Sequence, residues 1–241
     1  MDYSSLESFD DYLKLYNASI DNSEQFWNNV ASRISWFVKY DQIKRCDYKS
    51  ANIEWYLNGK LNVSYNCIDR HIENGLGDST AIIWQGNNDN ESSRITYNQL
   101  LKDVCKFSNG LKSLGVSKGD RVCIYMQMIP ELTVAMLACT RIGAVHSIVF
   151  GAFSSDSLRD RINDSSCKIL ITQDTGLRGS KNNIPMKQNG DKAILECPSI
   201  EKQIIVKRTN EKVNFNDIHD IWWHELIDKQ SEHCEPAYMD S

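Results

Sequence analysis

The sequence predicts an α/β protein with a doubly wound, largely parallel sheet, flanking helices and a wrapping N-terminal helical extension. Three observations carry that expectation. From Ala81 onward, short runs rich in β-branched residues alternate with segments of helical period. Proline opens and glycine closes one such helical segment, at Pro130 and Gly143. Residues 1–60, by contrast, concentrate aromatics and helix formers.

In that first stretch, Phe9, Tyr12, Tyr16, Phe26, Trp27, Trp36 and Phe37 are expected to anchor a helical extension by packing. Ser23, ahead of Glu24 and Gln25, suits a helix cap. Residues 81–84 (AIIW) then predict a strand, 86–93 a polar turn, and 94–97 a returning strand. Thr96 with Gln99 three residues on is a capping-box pattern. Leu100, Val104, Phe107, Leu111 and Leu114 recur at helical spacing, and Gly115 ends that helix. Residues 120–126 predict a buried strand, followed by a helix from Pro130. Residues 144–150 predict the next strand, and Ser154 or Ser155 caps the helix carrying Leu158 and Ile162. Residues 168–173 and 203–207 complete the strand set, with no internal repeat.

Length and composition narrow the class. A chain of 241 residues holds one large domain or two small ones. With 41% hydrophobic and 24% charged residues it is globular in composition. A net charge of −5 argues against nucleic acid or an anionic membrane as a partner. No apolar run reaches the ~20 residues that span a bilayer, and the polar start (MDYSSLE) is not a signal peptide. The 8 cysteines are scattered without a C-x-x-C pair, as expected of reduced thiols in a cytoplasmic protein. Oligomeric state is not legible.

Ligands of an open α/β sheet sit beyond the carboxyl ends of its strands. Two segments occupy such positions, 150–153 (FGAF) and 174–181 (DTGLRGSK). In the second, Gly176 and Gly179 allow close backbone approach while Arg178 and Lys181 supply fixed positive charge. That set suits a phosphate-bearing ligand, and equally suits a solvated basic turn. Asp69, Arg70 and His71 read as hydrogen-bonding groups tying a helix to the core, and His146 as a core histidine. Trp222 and Trp223 read as packing residues, and His219, His224 and His233 lack metal-site spacing.

Residues 61–71 (LNVSYNCIDRH) resemble the opening motif of the acetyl-CoA synthetase family of AMP-forming, acyl-adenylating enzymes. Residues 129–132 (IPEL), 141–152 (RIGAVHSIVFGA), 159–164 (RDRIND), 174–181 and 222–226 (WWHEL) follow in the family's order. The resemblance implies that residues 61–241 are the first part of the large adenylate-forming domain, after an extension at 1–60. It implies a parent enzyme joining acetate to CoA at the expense of ATP, with Mg2+, through acetyl-adenylate. It also implies that Arg178, Gly179, Ser180 and Lys181 meet the phosphorylated adenosine end of CoA. By the same resemblance, Phe150, Gly151, Ala152 and Ile184 are expected to line the adenine site. Ser180 and Ala152 stand where the family commonly has glycine, and residues 182–183 include an insertion. No catalytic and no metal-binding residue is assigned.

The family's phosphate loop (TSGSTGxPKG) does not occur in the 241 residues. The chain alone is therefore expected to be inactive, and an open sheet edge is expected to make it prone to self-association. A propionyl-CoA or other short-acyl synthetase is an alternative parent, and a non-catalytic CoA- or nucleotide-binding module is an alternative of a different class.

Overall fold

The computed structural model describes residues 6–241, with the backbone alone at Asn182. The polar opening falls largely outside them, at residues 1–5. The described chain forms two compact units, one ending at Asn62 but including Tyr238–Ser241, the other Val63–Ala237.

The first unit opens with helix α1 (Phe9–Asp21), where the Ser8 hydroxyl accepts from the Asp11 N–H, and α2 (Ser23–Ala31). Ser23 is the first residue of α2 and not its cap; Asn22 occupies the cap without a side-chain bond. Two expectations need correction here. Residues 42–57 are not helical: β1 (Gln42–Asp47) and β2 (Asn52–Leu57) form an antiparallel hairpin. Arg45 and Glu54 face each other in register, 2.6 Å apart, a cross-strand pairing that local propensity does not reveal. Nor are the early aromatics anchors, because α1 has no buried residue. Phe9, Tyr12 and Tyr16 instead stack on one another along its exposed surface. The packed aromatics come later, where Trp36, Tyr40 and Tyr56 meet at centroid distances of 4.9–5.4 Å. Strand β3 (Lys60–Leu61) completes this stretch.

The second unit begins with α3 (Val63–Cys67), α4 (Asp69–His71) and a π-helical turn, Ile72–Leu76. Strands β4 (Thr80–Gln85) and β5 (Ser92–Thr96) pair as the expected hairpin. Thr96 caps α5 (Tyr97–Ser113) by accepting from the Gln99 N–H, but the Gln99 side chain turns to Asp103, so the capping box is only half made. Then follow β6 (Arg121–Met126), α6 (Pro130–Ile142), β7 (Val145–Phe150), α7 (Ser155–Ser165) and β8 (Ile169–Gln173). Gly143 closes α6 at φ +78°, a conformation that glycine adopts without a Cβ penalty. A short hairpin, β9 (Gly176–Arg178) and β10 (Lys181–Ile184), precedes α8 (Met186–Ile194). Strands β11 (Lys202–Val206) and β12 (Asp220–Trp222) and helix α9 (Trp223–Asp228) end the unit. The last strand, β13 (Met239–Asp240), pairs with β3 and belongs with it to the first unit.

The main sheet has five strands in the order β12-β11-β8-β6-β7, all parallel. Its two faces bury different clusters, as side-chain alternation along β6 requires. Val122, Ile124 and Met126 face a core with Phe107, Leu111 and Ala135. Cys123 and Tyr125 face another with Leu158, Ile162 and Met186. Trp223 stacks on Phe107 at 3.6 Å, and Trp222 on Phe215 at 4.8 Å, so both tryptophans pack. From β6 the chain steps one way to β7 and then the other way to β8. The crevice at that reversal lies beyond the carboxyl ends of β6, β7 and β8. Strand β7 is an edge, so His146 is half-buried there and not a core histidine; burial lowers its pKa.

Candidate functional site

At the reversal lies a cavity of about 750 Å³. Met126 and Gln127 reach it from the end of β6, Phe150, Gly151 and Ala152 from the end of β7, and residues 177–181 from the hairpin after β8. Ile184 lines it too, so the eight residues that the resemblance assigned to the CoA site meet in one place, whereas Gly176 is not among the lining residues. Trp84, Asn87 and Arg208 also line it, and no motif marks them in the sequence.

The segment at 174–181 is not the open loop expected. It is a hairpin in which Arg178 and Lys181 are Cα partners across a Gly179–Ser180 tip. Gly179 holds φ +56° and a Cβ there would meet nothing, so glycine serves the backbone conformation. Gly176 has a different use from the ligand approach read in the sequence. A Cβ on it would lie 2.6 Å from Gln127 Oε1. That carboxamide accepts from the Leu177 N–H and donates to the Leu177 carbonyl, both at 2.9 Å. Asn87 treats Gly179 in the same way, accepting from its N–H at 2.8 Å and donating to its carbonyl at 3.1 Å. The Gly179 N–H is thus committed, and the tip offers an anion its side chains. Arg178 and Lys181 are exposed and form no ion pair among the described residues. The expected insertion at 182–183 coincides with a register shift in β10 and with Asn183 at φ +67°.

Opposite walls are aromatic. Phe150, the last residue of β7, is 56% exposed and meets Phe153 edge-to-face at 6.1 Å. Being on an edge strand, it has no further strand to cover it. Gly151 is buried, and a Cβ there would sit 3.2 Å from both the Met126 carbonyl and Met186 Cε. Its smallness therefore serves packing. The Tyr125 hydroxyl donates to the Phe153 carbonyl at 2.8 Å, fixing the 150–153 turn from below, and burial raises that phenol's pKa. Arg208 lies 5.3 Å over the Trp84 ring and 2.5 Å from Glu91. That guanidinium is the main reason the Glu91 pKa is lowered. Arg208 follows β11, so the strand-end rule applied there would have found it.

Asp174, buried at the end of β8, accepts backbone N–H bonds from Thr175, Arg208, Thr209 and Asn210 at 2.7–3.1 Å. It holds the turn that presents Arg208. Asp69 pairs with Arg141, so it ties helices together as expected, while Arg70 donates to Asn66 at 3.3 Å and the His71 ring packs on Tyr97 at 5.1 Å. Among the described residues no group of three or more His, Cys, Asp or Glu side chains is placed to hold a metal. None of their helices is long and apolar enough to cross a membrane.

A parallel sheet with its cleft at the strand ends is the architecture of enzymes that handle nucleotides. The chain belongs to the AMP-binding enzyme family, whose model matches residues 69–239. Residues 12–67 match the acetyl-coenzyme A synthetase N-terminus. The chain is 50% identical over 231 residues to an acetyl-coenzyme A synthetase of Magnetococcus marinus, covering 95% of this chain and 36% of that one. It is 51% identical over 231 residues to the enzyme of the same name from Desulfatibacillum aliphaticivorans, covering 95% and 35%. The chain thus spans about a third of the length of the curated relatives it matches. Acetoacetyl-CoA synthetase from Streptomyces lividans shares the fold, with TM-score 0.82 at 23% identity, over 95% of this chain and 34% of that one.

Proposed function

We propose that this chain supplies the CoA-docking cleft of an AMP-forming acetate–CoA ligase. In that reaction acetate attacks the α-phosphate of ATP, giving acetyl-adenylate and pyrophosphate. The CoA thiolate then attacks the adenylate carbonyl and AMP leaves. The residues of the cleft bind and orient; none is assigned to bond-making. Arg178 and Lys181 meet the phosphorylated end of the CoA nucleotide by charge-assisted contacts. Phe150 and Trp84 offer aromatic faces to its base, and Gly151, Ala152 and Ile184 shape the wall between. ATP and Mg2+ serve the adenylation step, to which no residue described here is assigned.

One observation carries this reading. The candidate residues arrive from two separate strand ends, yet they line one cleft with two exposed cations, Arg178 and Lys181, at its rim. Isothermal titration of the 241-residue chain with CoA and with dephospho-CoA tests it. CoA should bind about ten- to a hundred-fold more tightly, the worth of one or two charge-assisted contacts. Equal affinity for the two ligands, or no binding of either, would overturn it.

A further inference from the structure

We infer that Asn87 is a positioning residue that holds the cationic tip of the β9–β10 hairpin and so sets how strongly the cleft prefers a ligand carrying a terminal phosphate. This deepens the docking role proposed above and rests on it.

The hairpin is weak on its own account. It comprises a three-residue strand and a four-residue strand with a register shift between them. A two-stranded ribbon of that size is marginal in water. Its β9 edge is held by side chains instead of a third strand. Gln127 pairs with both backbone groups of Leu177, and Asn87 with both backbone groups of Gly179. Residues 177 and 179 are the alternate positions whose backbone groups a neighbouring strand would take. Two carboxamides thus stand in for that strand.

The two are not equivalent. Gln127 acts near the base, where its own N–H donates to the Gln173 side chain at 2.9 Å. Asn87 acts at the tip, on Gly179, which lies between the two cations in sequence. It is well anchored, since its N–H donates to Glu91 Oε2 at 3.1 Å. The other Glu91 oxygen pairs with Arg208, which lies on Trp84, whose indole N–H donates to the Met128 carbonyl at 2.8 Å. The tip is therefore fastened to the opposite wall of the cleft. Without the Asn87 carboxamide, Gly179 loses its bonds to that wall, and Arg178 and Lys181 lose their aim. The aromatic walls are untouched by the change.

Asn87→Ala in the 241-residue chain, titrated with CoA and dephospho-CoA, tests the inference. CoA affinity should fall about ten-fold, while dephospho-CoA affinity shifts less than about two-fold. In an Arg178→Ala, Lys181→Ala background the same substitution should cause no further loss, because it acts through those side chains. Equal loss for both ligands, or full additivity in that background, would overturn the inference. Hydrogen exchange at the Gly179 amide judges the clamp without any ligand. Faster exchange in Asn87→Ala supports it and unchanged exchange sinks it, even if the wild-type chain does not distinguish CoA from dephospho-CoA and the docking role itself falls.

Discussion

Arg141 and Asp69, 72 residues apart in sequence, form a two-pronged ion pair with both N–O distances at 2.9 Å. The Arg141 side chain is 4% exposed, and its Nε also donates to the Cys234 carbonyl at 2.6 Å. One guanidinium thus joins α6, α4 and the segment after α9. Removing it leaves a largely buried carboxylate without its partner, and leaves the Cys234 carbonyl only the weak thiol donor of Cys105. Arg141→Met should cost about 3–5 kcal/mol, as breaking a buried pair does. Urea unfolding measures it; a loss below about 1 kcal/mol would show the pair to be dispensable.

At the hairpin tip, Arg178→Ala should weaken CoA binding by about ten- to a hundred-fold, since a guanidinium makes forked contacts to phosphate. Lys181→Ala should weaken it less, because an exposed ammonium loses much of its attraction to screening. Both effects should shrink as salt rises from 50 to 500 mM, as roughly a threefold shorter Debye length requires. Calorimetric titration across that range is the check.

Glu91 couples the Asn87 turn to Arg208, and its hydrogen bond to Arg208 lowers its pKa below the ordinary value of 4.5. A carboxylate whose folded pKa is depressed contributes stability above its unfolded pKa and loses it as pH falls through the folded value. Wild type should therefore exceed Glu91→Gln in melting temperature at pH 7. The gap should close once the pH drops below 4.5 and through the folded value. A gap independent of pH would assign the effect to packing instead.

Strand β7 lies at the sheet edge with no charged residue or proline in Val145–Phe150. Val145, Ile148 and Phe150 are exposed along it. Such an edge presents free backbone groups beside apolar side chains and invites pairing. Sedimentation velocity on the 241-residue chain should reveal concentration-dependent association, and Ile148→Lys should reduce it. A monomer at all concentrations would count against an accessible edge.

The 241 residues contain no Ser/Thr/Gly-rich phosphate loop of the TSGSTGxPKG form, the element that would be expected to cradle the ATP phosphates. Acetate-dependent ATP–pyrophosphate exchange should not exceed a buffer control. Exchange that EDTA abolishes would refute this.

Elements whose causes are local were legible in the residues. Hydrophobic period set β6, α6 and β8, Pro130 and Gly143 marked the ends of α6, and Thr96 capped α5. Strand ends also pointed to the segments 150–153 and 174–181, most of whose residues line the cleft, while the ligand roles and Ile184 came from the family resemblance. The tertiary structure decided what depends on partners far along the chain. The β1–β2 hairpin was missed because its stability comes from cross-strand pairs such as Arg45 with Glu54, not from propensity. The place of β7 at the edge, which exposes Phe150, follows from strand order and not from composition. The role of Gly176 appeared only when Gln127 was found against it. Asn87 looked like any turn asparagine until folding brought it to Gly179, 92 residues away. A hydrogen bond has directional demands that only the folded backbone can meet, and no local pattern encodes them.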